Sequence, residues 1–184
     1  MMDSYLENRR WSDRFIPRIT QIVGPHLLMP ASFQLDTEQA TDLIVLHARD
    51  MRIAARVRSH KYIHQYGYEF TIRSKSRGHK TEIDKINDGW GEWMFYGFAN
   101  LLESDIERWY IINLDIFRSS LIKKDTRKHI QCVQKDNGDD TALIAFDIRT
   151  FPQNILVASS HSVEFNPVAT KAAFSQMPLF SPAT

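Results

Sequence analysis

Two carboxylates and a run of cations are the residues best suited to chemistry. Glu69 lies in the stretch Tyr-Glu-Phe-Thr-Ile-Arg. Alternation along a strand puts Tyr68, Phe70 and Ile72 on one face and Glu69, Thr71 and Arg73 on the other. The first face reads as core and the second as a site. Upstream, Asp42 opens the apolar run Asp-Leu-Ile-Val-Leu-His, and Arg56 and Arg58 share a face of Met-Arg-Ile-Ala-Ala-Arg-Val-Arg. Downstream, the loop Ser-Lys-Ser-Arg-Gly-His-Lys carries Lys75, Arg77 and Lys80. Paired carboxylates can hold a hard cation, and clustered ammonium and guanidinium groups can hold phosphate.

Charge is distributed unevenly around these residues. From Arg49 to Lys80 there are nine Lys or Arg against Asp50 and Glu69, a surplus of +7; the whole chain carries +1, so the remainder carries −6. Such asymmetry suits a groove for a polyanion, and equally suits a solvated sheet edge whose cations discourage aggregation. His60 and His64 are four apart without a helix signal around them, and read as ordinary loop histidines rather than a metal pair.

The elements that must position these groups follow from periodicity. Apolar residues at helical spacing, from Phe15 to Val23, predict a helix stopped by Gly24-Pro25. Asp42 to His47 and Met51 to Arg58 read as two strands forming a hairpin that would aim Arg56 and Arg58 together. Lys80 to Asn100 reads as the clearest helix, with Thr81 and Asp84 as a weak capping box and Ile83, Ile86, Trp90, Trp93, Met94 and Phe98 as its apolar stripe. Trp-Tyr-Ile-Ile-Asn-Leu follows as a buried strand, then a short helix capped by Asp115, then a hairpin turning at Asn137-Gly138, then Ile-Leu-Val-Ala as a last strand.

A chain of 184 residues with 43% hydrophobic content can fill one core. The expected organisation is a domain over residues 1–158 and a flexible tail over 159–184. A single cysteine, Cys132, forms no internal disulfide, and neither a signal peptide nor a membrane-length apolar run is present, so the cytoplasm is the expected compartment. A homo-oligomer is possible through the face of Trp90, Trp93 and Tyr96, although burial of that face against the sheet is favoured.

The order of elements, an Asp opening a strand, a further strand with an acid, a basic loop and a helix, resembles the PD-(D/E)XK nuclease superfamily, in particular its resolvase-like and phage-type members, over roughly residues 5–118. The resemblance implies a restriction-endonuclease-like α/β fold, a central mixed sheet flanked by helices. It implies an Asp and a Glu on neighbouring strands holding Mg²⁺ or Mn²⁺, and a Lys two positions after the Glu. Carried over, Asp42 and Glu69 become the metal ligands. The lysine position holds Thr71, so Arg73, Lys75 or Lys80 must supply the charge, with Arg73 the catalytic candidate and Glu82 a possible third acid. Placing the motif on residues 51–59 instead would put acid and lysine on Arg56 and Arg58, and arginine cannot ligate a metal. Were Glu69 simply paired with Arg56 or Arg58 across a sheet, a scaffold without a metal would remain.

In the tail, Gln176-Met177-Pro178-Leu179-Phe180 resembles the pentapeptide with which bacterial proteins bind the sliding clamp: Gln176 at a pocket rim, Leu179 and Phe180 within it. The same Leu-Phe pair could instead fold back on the body as a latch. The function expected from the resemblances is a metal-dependent deoxyribonuclease of replication, repair or phage DNA metabolism, binding DNA through Arg56, Arg58, Lys75, Arg77 and Lys80. The alternative is an inactive nuclease-like protein that binds DNA or a host factor such as the clamp.

Overall fold

The computed structural model of the protein describes residues 2–30, 43–45, 51–76, 78–138 and 140–166. Asp42, Arg77, Gln176, Leu179 and Phe180 lie outside the described residues. The protein is mixed α/β, in two compact units. One is drawn from Met1–Gln65, Gly91–Ile112 and Val157–Ser160, the other from Tyr66–Trp90, Asn113–Leu156 and His161–Thr184.

The first unit contains a short antiparallel pair, β1 (Leu28–Pro30) with β2 (Leu43–Val45), and a mixed four-stranded sheet. That sheet is ordered β3 (Ile53–Arg58), β5 (Trp93–Ala99), β6 (Ile106–Asn113), β9 (Leu156–Ser159), and β3 runs parallel to β5. The helix Ile16–Val23 ends at Gly24, and its Ile19, Ile22 and Val23 pack with Phe15, Val57, Phe95, Ile106 and Ile111. At the head of the parallel pair, the Arg52 N–H donates to the Glu92 carboxylate at 2.6 Å and the Glu92 N–H to the Arg52 carbonyl at 3.0 Å.

Two expectations are corrected here. The hairpin of Asp42–His47 with Met51–Arg58 does not form: β2 takes β1 as its partner, and β3 takes β5 from almost forty residues downstream. The helix over Lys80–Asn100 is instead a helix of six residues, Glu82–Asn87, followed by β5. Gly89 and Gly91 adopt φ of 85° and 82°; the left-handed Gly89 ends the helix, its N–H and that of Trp90 returning to the Ile86 and Lys85 carbonyls. Beyond them Met94, Phe95, Tyr96, Phe98 and Ala99 are all buried. A strand in mid-sheet buries both faces in this way, whereas an amphipathic helix cannot.

The second unit holds an antiparallel sheet ordered β4 (Glu69–Lys75), β8 (Ala142–Asp147), β7 (Cys132–Asp136). Phe70 and Phe146 stack across β4 and β8 and meet Phe117 and Phe151, with ring centroids 5.1–6.1 Å apart. This aromatic cluster fixes β4 in place. The helix Leu114–Ile122 is capped by the Asn113 side chain, not by Asp115, because the residue before the first turn is the one free to fold its oxygen back onto the N–H groups of Asp115 and Ile116. The β7–β8 hairpin turns at Gly138, with φ of 75°, as its Asn-Gly signal predicts. Asn166 is tied to this unit by its N–H to the Arg149 carbonyl at 2.7 Å.

Candidate functional site

Glu69 opens β4, and its carboxylate meets the Lys135 ammonium at 3.1 Å. Lys135 belongs to β7, so β8 lies between the two backbones. Its ammonium also rests 4.0 Å from the centre of the Tyr66 ring, which adds a cation–π attraction to the ion pair. The expectation that Glu69, if paired at all, would pair with Arg56 or Arg58 is corrected. β3 is not a neighbour of β4 in its sheet, and the cation comes from β7. Thr71, on the same face of β4, is buried, so the open part of that face is confined to the strand's two ends.

At the far end of β4 the ladder slips between Arg73 and Lys75, and both residues are exposed. The Glu82 carboxylate accepts the backbone N–H of Arg73 at 3.0 Å. Glu82 thereby straps the start of its helix to the strand, an alternative use for the candidate third acid. The helix start is set by a complete capping box: Thr81 Oγ1 accepts from the Asp84 N–H, and the Asp84 carboxylate accepts from Thr81. That bond from the Thr81 hydroxyl, then the one from its N–H, holds the Asp84 carboxyl below the ordinary aspartate range. Lys80 is ion-paired with Asp88, whose hydrogen bond raises the ammonium above its usual value.

The side chains of Arg73 and Lys75 make no ion pair among the described residues. In the first unit, Arg56 and Arg58 sit on β3, half-buried, and the Arg58 guanidinium lies 4.4 Å from the Tyr62 ring centre. Sequence reasoning missed Lys135 as the partner of Glu69, and Tyr66 as the ring that its ammonium rests on. The register of the Asn-Gly hairpin places Lys135 opposite Leu143, but only the pairing of β8 with β4 brings it to Glu69.

Among the described residues no group of three or more His, Cys, Asp or Glu could hold a metal ion. The donor set at Glu69 is one carboxylate already facing an ammonium, which by itself does not fit a divalent cation. No family model matches the chain, and no curated protein or solved structure matches it either. No helix among the described residues is long and apolar enough to cross a membrane.

Proposed function

We propose that this protein binds DNA through exposed cations as a nuclease-like scaffold that does not cut it. One contrast within β4 supports the reading: the acid Glu69 has its charge met by Lys135, while Arg73 and Lys75 are exposed and meet no carboxylate among the described residues. Exposed cations can neutralise phosphates and so release the condensed counterions of the backbone into solution, and a neutralised carboxylate does not repel it. Arg56 and Arg58 of β3, and the loop cation Arg77, extend the candidate set; Lys80, held by Asp88, contributes less.

Fluorescence anisotropy with a labelled duplex tests this. The Arg73→Ala, Lys75→Ala double variant should bind more weakly, with the slope of log affinity against log salt reduced by about one for each cation removed. An unchanged slope would remove these residues from any DNA contact.

A second reading, phosphodiester hydrolysis, is favoured by one observation: Lys135 lies 3.1 Å from Glu69, bringing to the acid the lysine that the resembled motif has where this chain has Thr71. In that reading Asp42 would complete a site for Mg²⁺ or Mn²⁺ with Glu69. Plasmid cleavage that requires Mg²⁺ and disappears in both Glu69→Ala and Lys135→Ala would establish it and displace the first reading. A bacterial sliding clamp is proposed as a further partner through Gln176, Leu179 and Phe180. Deleting Ser175–Thr184 should abolish clamp binding, and retained binding would exclude the pentapeptide.

A further inference from the structure

The β4–β8–β7 sheet is covered unevenly. Phe117 and Phe151 close over Phe70 and Phe146, but β7 is left exposed along most of its length, with Val133 60% accessible. Beside it, a groove of about 520 Å³ runs between β7, β8 and the helices Glu82–Asn87 and Leu114–Ile122. Ile83, Leu121, Ile130 and Ile144 make its walls, and Cys132 lines it from β7. Among the described residues β7 pairs with β8 alone, so its outer edge can accept main-chain hydrogen bonds from an added strand. A trough with isoleucine and leucine walls, lined also by Arg118 and Arg127, beside a strand edge unpaired among the described residues suits an extended peptide carrying large apolar side chains.

We propose that the groove receives this chain's own segment 174–180, Phe-Ser-Gln-Met-Pro-Leu-Phe, with Leu179 and Phe180 against the isoleucine and leucine walls. The length of chain beyond the described residues permits it. Asn166 is fastened to the same unit through Arg149. The thirteen residues from there to Leu179 span up to about 45 Å when extended. A unit of this size is only about 30 Å across. Composition permits it too: residues 167–184 contain no Asp or Glu and one cation, Lys171, so segment 174–180 brings no charged side chain of its own into the groove. The latch is independent of DNA binding, and it engages the same Leu-Phe pair that the clamp would take.

Cys132 is the only cysteine of the chain and lines the groove, so its reaction with a thiol reagent such as DTNB reports occupancy. In the full chain the reaction should be about tenfold slower than in a chain ending at Asn166, the ratio for a groove open one-tenth of the time. Leu179→Asp, Phe180→Asp in the full chain should give the fast rate, and excess synthetic 174–180 peptide should restore protection to the shortened chain. Circular dichroism on each variant confirms that the fold is retained. Equal rates in all forms would overturn the proposal. Protection that grows with protein concentration would also overturn it, since a second copy would then be the occupant.

Discussion

The Lys135 ammonium stands 3.1 Å from the Glu69 carboxylate although their strands, β7 and β4, are separated by β8. The pair crosses the sheet diagonally over the Tyr66 ring, and both side chains remain about one-third exposed. Partial exposure keeps such a pair weak, because water screens the attraction and holding two long side chains in place costs entropy. In a double-mutant cycle of Glu69→Gln and Lys135→Met, urea unfolding should return a coupling of about 0.5 kcal/mol, falling as salt is raised. A coupling that is absent at low salt would show that the two groups do not meet in solution.

The turn from Asn87 to Trp93 depends on backbone that only certain residues adopt. Gly89 has φ of 85° and open space where a Cβ would stand, so alanine there meets no clash and its cost is purely conformational. Gly89→Ala should lower stability by roughly 1–2 kcal/mol, and Gly89→Asn by less, since asparagine tolerates left-handed backbone. Chemical unfolding of the two variants checks the order. A stabilised Gly89→Ala would favour the continuous helix over 80–100 instead.

Glu103 is a carboxylate through which the first unit should respond to pH. Its carboxylate accepts from the Trp11 indole N–H at 2.7 Å and from Ser59, and Arg14 lies 3.0 Å away; led by the indole bond, these hold its pKa below the ordinary glutamate range. The sign follows from linkage: a lowered folded pKa contributes stability that is fully present above the ordinary glutamate value and is lost as pH falls through the folded value. The urea midpoint should therefore fall on acidification from about pH 5 to about pH 3. Glu103→Gln should be less stable near neutrality and flatter over that window. Parallel pH profiles for the two proteins would remove Glu103 from the acid transition.

Local signals in the chain were legible because they are completed within a few residues. Gly24-Pro25 stops the helix Ile16–Val23, Thr81 and Asp84 satisfy each other's backbone, and Asn137-Gly138 closes its hairpin. The failures share one cause. The apolar residues between Trp90 and Phe98 match a helical period as well as a buried strand, and only the positive φ of Gly89 and Gly91 separates the short helix from the strand that follows.

For the candidate site, the sequence by itself determined which residues carry charge, that Glu69 and Arg73 share a strand with Phe70 and Ile72 on its buried face, and that cations crowd the loop beyond it. Only the tertiary structure decided their partners. Strand pairing is set by which faces can bury the most apolar surface together, and that choice sent β3 to β5, β4 to β8, and so Lys135 to Glu69. The resulting neighbours are 66 residues apart in the chain, a separation across which local propensity carries no information.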